Sequence, residues 1–371
     1  MKLLHFSDTH LGFSDTYRID PQSGLNQREQ DFYDAWRQVI DAALELKPDF
    51  VVHAGDLFHT PRPSNRAIRV ALEGIQQISS AGIPFILVSG NHETPRIRST
   101  GSIFEAVTLF PNVYAAYRSR LEAFIVKDVE FICLPHCSTQ DELELALKEL
   151  QGLGGSLRPR ILVTHGAWSR SEYGMGEFNE QRLPDLEEAT GIRFDYVALG
   201  HYHRPVEIRP TVCYSGSTER TSFNEHANVC GYLVVDLTTG ERRRCEISTR
   251  PMLKLPALDC TGKSVADILQ DIAALASTIP EGAMVQLCLD NVEADAFLKL
   301  DMRQIDDLFR HVLYLEKQVF RRIDERRDAQ TENTIIRALP IEFAAFLESL
   351  PEKSLPKEKL LQMGIRYLSM E

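Results

Sequence analysis

Leu3-Leu4-His5-Phe6-Ser7-Asp8-Thr9-His10 is a short apolar run that stops on an aspartate and, two residues on, a histidine. A continuous apolar run of this length, bounded by turn formers, reads as a strand buried on both faces. The same grammar recurs four times. Phe50-Val51-Val52-His53 leads into Gly55-Asp56-Leu57-Phe58-His59, and Phe85-Ile86-Leu87-Val88 into Gly90-Asn91-His92-Glu93. Ile161-Leu162-Val163 leads into Thr164-His165-Gly166, and Val197-Ala198-Leu199 into Gly200-His201-Tyr202-His203. Between the early runs, Gln30 to Leu46 and Asn65 to Ser80 carry apolar residues at helical spacing. The order through about residue 200 is therefore β-α-β, and the fold class is α/β. Each polar segment follows its strand directly, and open α/β sheets bind ligands at the carboxyl ends of their strands. Residues distant in sequence can thus share one site.

Aspartate, asparagine and histidine collected in this way suit two divalent ions, each wanting several O and N ligands and an open position for water. Six of the eleven histidines fall in these segments. His5 and His53, inside the strands, read as packed and hydrogen-bonded; His136, His226 and His311 have no motif around them. With two ions about 3.5–4 Å apart, one carboxylate commonly bridges them and a shared water loses its proton near neutral pH. Asp56 is the bridge candidate. Such a centre serves hydrolysis of a phosphate ester, because the ions neutralise the charge that otherwise repels attack on phosphorus. His59 and His92 follow ligand positions and are placed to act as general acid or phosphate contact. No P-loop or dinucleotide motif competes, and nothing calls for a Ser or Cys nucleophile.

With 371 residues, 43% of them hydrophobic and 25% charged, the chain has material for a large core and more than one domain. No apolar run is long enough to span a bilayer, and the first acid at Asp8 leaves no room for a signal-peptide core. Seven scattered cysteines without a CxxC pair suit reduced thiols. The expectation is a cytoplasmic protein that does not meet a membrane. A net charge of −12 opposes a polyanionic partner globally, but two divalent cations would reverse the field where phosphate sits. The basic groups Arg242-Arg243-Arg244 and Arg321, Arg322, Arg326, Arg327 read as solvated faces, as charge runs ordinarily are.

After residue 200 the pattern turns to strand and turn, with Cys213 to Ser217, Gly231 to Asp236 and the turn Thr238-Thr239-Gly240 completing a β-sandwich core. From Met252 a β-α-β-α-β order follows: Leu253–Leu258, Val265–Ser277, Met284–Leu289, Met302–Phe309 and Val312–Ile323, enough for a small second domain. In the tail, Phe343, Phe346, Leu347, Leu350 and then Leu361, Gly364, Ile365, Leu368 keep helical spacing on either side of Pro351 and Pro356. This predicts a helix-loop-helix that covers its own domain or docks on a partner.

The motifs, in this order, resemble the calcineurin-like metallophosphoesterases and, among them, the SbcD-type DNA repair nucleases. The residues that carry the likeness are Asp8-x-His10-Leu11-Gly12, Gly55-Asp56-Leu57-Phe58-His59, Gly90-Asn91-His92, His165-Gly166, Gly200-His201-x-His203 and Tyr214-Ser215-Gly216-Ser217-x-Glu219-Arg220. The resemblance implies a four-layer αββα sandwich over 1–250, a small α+β capping and DNA-binding domain over 251–328, and a partner-docking helical segment over 329–371. It implies one ion held by Asp8, His10, Asp56 and His203, and another by Asp56, Asn91, His165 and His201, with manganese as the working metal. His92 would protonate the leaving group or steady the transition state, and His59 matches the second histidine of the nuclease subgroup. Protein phosphatases of the superfamily continue Gly-Asp with Asp-Arg-Gly, whereas this chain reads Leu57-Phe58-His59-Thr60-Pro61. Glu93 stands where the nucleases often have aspartate. The implied activity is exonuclease and endonuclease cleavage of DNA in double-strand-break repair. The implied partners are an SbcC-type ATPase docked on the tail helices and a second copy of the chain. The competing readings are a phosphodiesterase or phosphatase for nucleotides or small esters, and a non-catalytic adaptor of the ATPase complex.

Overall fold

The computed structural model describes residues 1–15, 18–19, 24–169, 174–176, 179–322, 343, 347 and 359–361. The opening run forms β1 (Lys2–Phe6), followed by α1 (Gln27–Leu46), β2 (Phe50–His53), α2 (Asn65–Ser80), β3 (Phe85–Val88), α3 (Phe104–Val107) and β4 (Val113–Ala116). β1 to β4 lie side by side and parallel, as the β-α-β order predicts. Next come β5 (Glu122–Val126), β6 (Val129–Leu134), α4 (Gln140–Gln151), β7 (Arg160–His165), β8 (Ala167–Trp168), β9 (Arg182–Leu183) and α5 (Leu186–Thr190). β10 (Tyr196–Gly200), β11 (Val206–Arg209) and β12 (Val212–Tyr214) complete a second sheet in the order β11-β12-β10-β7-β6-β5. β13 (Gly231–Asp236) and β14 (Arg242–Glu246) then return antiparallel to extend the first sheet to β14-β13-β1-β2-β3-β4.

Local chemistry sets the helix ends. α1 starts three residues before the spacing predicts, because the Asn26 side chain accepts from the Arg28 and Glu29 amides at 2.9 and 3.2 Å. It stops at Lys47, which takes a left-handed conformation (φ 47°) ahead of Pro48. Ser64 caps α2 by accepting from the Ala67 amide. Trp36 of α1 lies against Gly74 of α2, where a Cβ would overlap the indole ring, and its Nε1 donates to Val70 O at 3.2 Å. Only glycine admits that approach.

Strand alternation builds the layers. Leu4, Phe6, Val51, Phe85 and Leu87 pack beneath Tyr33, Trp36, Ile40, Ile75 and Ile78 of α1 and α2. Their neighbours Leu3, Phe50, Val52, Ile86 and Val88 face the second sheet and pack with Phe131, Cys133, Ile161, Val163 and Ala198. The far side of that sheet, with Ile132, Leu134, Leu162, Val197 and Leu199, buries Leu143, Ala146, Leu150 and Leu186 of α4 and α5. The result is the αββα sandwich that the resemblance implies. Phe50 and Phe131 meet edge to face between the sheets, with centroids 5.0 Å apart. Phe131→Ala is expected to lower unfolding free energy by about 3–5 kcal/mol in urea denaturation; a loss below about 1 kcal/mol would show that the sheets do not depend on this contact.

After the sandwich strands come β15 (Met252–Lys254), β16 (Leu258–Asp259), α6 (Val265–Ala276), β17 (Met284–Val292), α7 (Ala294–Lys299), α8 (Met302–Leu308) and β18 (Tyr314–Arg321), the four strands forming a small sheet. β17 is central and pairs with β15, β16 and β18. The single strand expected over Leu253–Leu258 is instead two. Pro256 has no N–H for the ladder, and the register slips by one residue between Lys254↔Gln286 and Leu258↔Leu289. α7 is a further departure from the expected order.

By compactness the chain divides into two units. One comprises Met1–Ala257, Asp267–Cys288 and Asp301–Gln318; the other comprises Leu258–Ala266, Leu289–Leu300 and Val319–Glu371. In the first, Arg242 pairs with Glu207 at 3.2 Å and Arg244 donates to the Ser215 and Val229 carbonyls, so much of the 242–244 triplet is spent on the fold itself. In the second, Arg321 lies 5.7 Å from the Phe297 ring centroid and Arg322 pairs with Glu293 at 2.8 Å. The helix-loop-helix expected over 329–371 lies outside the described residues apart from 343, 347 and 359–361, as do Arg326 and Arg327. Among the described residues no helix is long and apolar enough to cross a membrane.

Candidate metal centre

The chain beyond β1 stays zipped to the chain beyond β2. Asp8 N donates to Gly55 O at 3.0 Å, His10 N to Asp56 O at 3.0 Å and Leu11 N to Leu57 O at 2.9 Å. This places Asp8, His10 and Asp56 side by side at the carboxyl end of the first sheet. The second sheet arrives from the other side: Gly166 N donates to Gly200 O, joining the segments after β7 and β10, and His201 N donates across to Asp8 Oδ1 at 3.0 Å. Gly90 closes the third loop over Asp56, whose carboxylate occupies the space a Cβ would need.

Four of these residues adopt left-handed backbone: Asp8 (φ 53°), His10 (φ 41°), Asp56 (φ 57°) and His201 (φ 100°). Non-glycine residues rarely hold this conformation, and it concentrates at functional sites because it must be maintained against its own cost. Here the cost turns side chains of successive loops toward one point.

The donor atoms converge in groups whose members lie within 4.8 Å of one another: Asp8, His10 and His203; Asp8, Asp56 and His165; and His10, His59 and His92. His165 Nδ1 donates to Ala54 O at 2.8 Å, so its Nε2 is the atom turned toward Asn91 Oδ1 (3.0 Å) and Asp56 Oδ2 (3.2 Å). His203 Nδ1 donates to Glu225 Oε1 at 2.7 Å, which leaves its Nε2 facing His10 Nε2 at 3.0 Å. In each case an imidazole whose opposite ring edge is already committed turns its Nε2 to further oxygen or nitrogen donors, an arrangement that suits a cation. Asp56 Oδ2 lies between the two sides, 3.9 Å from His10 Nε2 and 3.2 Å from His165 Nε2.

The electrostatics express the same demand for positive charge. Burial alone would depress His165, but the Asp56 and Asp8 carboxylates outweigh it and hold the imidazole up at about 9. For His203 burial again lowers the pKa, and Glu225 with Asp8 raises it to about 9. His10, fully buried and crowded by other histidines, is pushed well below its ordinary value.

His92 and His59 form the rim. The His92 amide donates to Asp56 Oδ1 at 3.0 Å, its Nδ1 donates to His59 O at 3.1 Å, and its Nε2 is 4.0 Å from Asp56 Oδ2. The two rings stack with centroids 5.0 Å apart, and Phe13 backs His59 at 4.8 Å. Asp8, His10, Asp56, Asn91, His165, His201 and His203 are all buried, whereas the His92 side chain keeps 21% of its surface exposed. The His201 Nε2 is 3.3 Å from Glu180 Oε2, and its ring stands edge to face with that of His165.

Three carboxylates outside the expected ligand set support the site. Glu93 Oε1 accepts from the Asp56, Leu57 and Gly90 amides and pins the second and third loops together. Glu225 orients His203, and Glu180 contacts His201. Glu93 had a readable position immediately after the Gly-Asn-His segment; Glu180 and Glu225 had none. His5 and His53 are spent inside the fold, on the Tyr196 hydroxyl and on Thr9 Oγ1.

A layered α/β fold that gathers aspartate and histidine clusters at its strand ends is that of a metal-binding hydrolase of the phosphoesterase class. The calcineurin-like phosphoesterase domain matches residues 1–205, and the chain belongs to that family. It is 33% identical over 269 residues to the DNA double-strand break repair protein Mre11 of Thermoplasma acidophilum, a match covering 68% of this chain and 67% of that one. To the protein of the same name from Haloferax volcanii it is 34% identical over 257 residues, 67% of this chain and 53% of the relative. The matched chain thus spans between about half and two thirds of the length of these curated relatives. Among solved structures, the Escherichia coli phosphoesterase Yfce aligns over 67% of this chain and all of its own, at 16% identity and a TM-score of 0.33.

Proposed function

We propose that the chain is a metal-dependent DNA nuclease that hydrolyses phosphodiester bonds in double-strand-break repair. The observation that carries the chemistry is the paired donor groups sharing Asp8, with Asp56 between them and the His59–His92 pair at the open rim. The likeness to relatives named for double-strand break repair supports DNA as substrate. In this reading Asp8, His10, Asp56 and His203 hold one divalent ion and Asp56, Asn91, His165 and His201 another, with manganese the working metal. When bound, such ions supply Lewis-acid polarisation of the phosphate and a water acidified to near neutral pKa. The protein's own residues do the rest. Asp56 sets the spacing of the two subsites. The second-sheet histidines are held by Ala54 O and Glu225, so their rings need not reorganise when phosphate arrives. His92, whose Nδ1–H is given to His59 O, would act as the imidazolium, with Nε2–H at the rim passing its proton to the leaving oxygen.

With this reading go three further proposals: the division into a nuclease domain (1–250), a capping domain (251–328) and a docking segment (329–371); association with an SbcC-type ATPase through that segment; and a homodimer. The test compares manganese-dependent cleavage of linear duplex, hairpin and single-stranded DNA with hydrolysis of a simple phosphodiester. DNA cleavage that stops on chelation and returns with manganese is expected. Turnover of the simple ester without any cleavage of DNA would overturn the nuclease reading.

A further inference from the structure

Glu225 is buried, 6% exposed, on a one-turn 3-10 helix, Phe223–Glu225, well removed in sequence from every other residue of the centre except the segment after β10. Its carboxylate is tightly held. Oε2 accepts from the Thr221 amide at 2.7 Å, and Oε1 accepts from the Thr221 hydroxyl at 2.9 Å and from His203 Nδ1 at 2.7 Å. The turn itself is anchored at both ends, by Glu225 N to Ser222 O and by Asn228 N to Glu225 O. Two residues before Glu225, the Phe223 ring packs into a cluster with Met252, Met284 and Leu313 and stacks on Tyr314. The carboxylate is therefore fixed before any ligand arrives, and beyond its own turn it holds one nitrogen of one imidazole.

A carboxylate on the back nitrogen of a ligating histidine selects the tautomer, aims the ring and makes the front nitrogen more basic. We propose that Glu225 is the positioning residue for His203, holding its proton on Nδ1 so that Nε2 faces His10 and Asp8 as a ligand atom. This rests on the reading of His203 as a ligand of the proposed metal centre. It assigns Glu225 no contact with substrate.

The test is a manganese titration of metal-free full-length protein by calorimetry, with no substrate present. Glu225→Ala is expected to weaken one of two binding events by about 10–100-fold and leave the other unchanged. Glu225→Gln, whose amide oxygen still accepts from Nδ1–H, should recover most of that loss, which a merely structural role would not require. His203→Ala serves as the reference and should remove the same event entirely. If His203→Ala binds both ions normally, the ligand reading fails and the proposal falls with it. If His203→Ala loses an ion while Glu225→Ala binds both with native affinity, the proposal alone is overturned. Should Glu225→Ala not fold, Glu225→Asp decides: it keeps the charge but withdraws the carboxylate by one methylene, and native affinity in that variant overturns the proposal.

Discussion

Asp56→Asn is expected to lose phosphodiester cleavage by about 10³-fold or more and to lose bound metal in the same protein. The substitution is nearly isosteric, and asparagine tolerates the left-handed backbone at this position (φ 57°), so the loops should keep their course. What disappears is the charge. Asp56 Oδ2 lies within 4 Å of both His165 Nε2 and His10 Nε2, and without it one proposed subsite keeps Asp8 as its single carboxylate while the other keeps only neutral donors. Elemental analysis of the purified variant, beside steady-state cleavage, checks the result. Two ions retained per chain would contradict the bridging assignment whatever the activity.

His92→Ala separates proton transfer from metal holding. Its side chain is expected to contribute about 10²–10⁴-fold to kcat as general acid, with little change in KM. The ions should stay, because the group that steadies Asp56 Oδ1 is the His92 main-chain amide, which alanine also offers. A loss of metal comparable to Asp56→Asn would make His92 a ligand, and full activity would remove it from the mechanism. The His10–His59–His92 donor group makes the first of these outcomes worth measuring directly.

The central strands were legible because they are buried on both faces, which forces a continuous apolar run that no solvent-facing alternation interrupts. β5 shows the opposite case: Glu122 to Ile125 alternates between half-buried and exposed positions at a sheet edge before the buried Val126, and its pattern merges with the loops around it. α4 did carry a readable sign, the reciprocal Thr139–Glu142 capping box at its start. Among site residues, those directly after strands could be read from position alone. Glu225 and Glu180 could not, since their roles arise from contacts made across the fold, with no spacing to mark them. His201 illustrates the converse: its motif position is clear, but the direction of its ring depends on Glu180 from a separate loop.

Left-handed backbone at Asp8, His10, Asp56 and His201 also bears on how this protein can change over generations. Each such position costs roughly 1–3 kcal/mol, and Asp8 and Asp56 add buried like charge. Glycine or asparagine at 8 or 56 would relieve both burdens. Repeated rounds of mutagenesis scored on heat resistance alone should therefore drift toward sturdier chains with a dismantled centre, while rounds scored on turnover hold these positions and collect their compensation elsewhere in the sandwich.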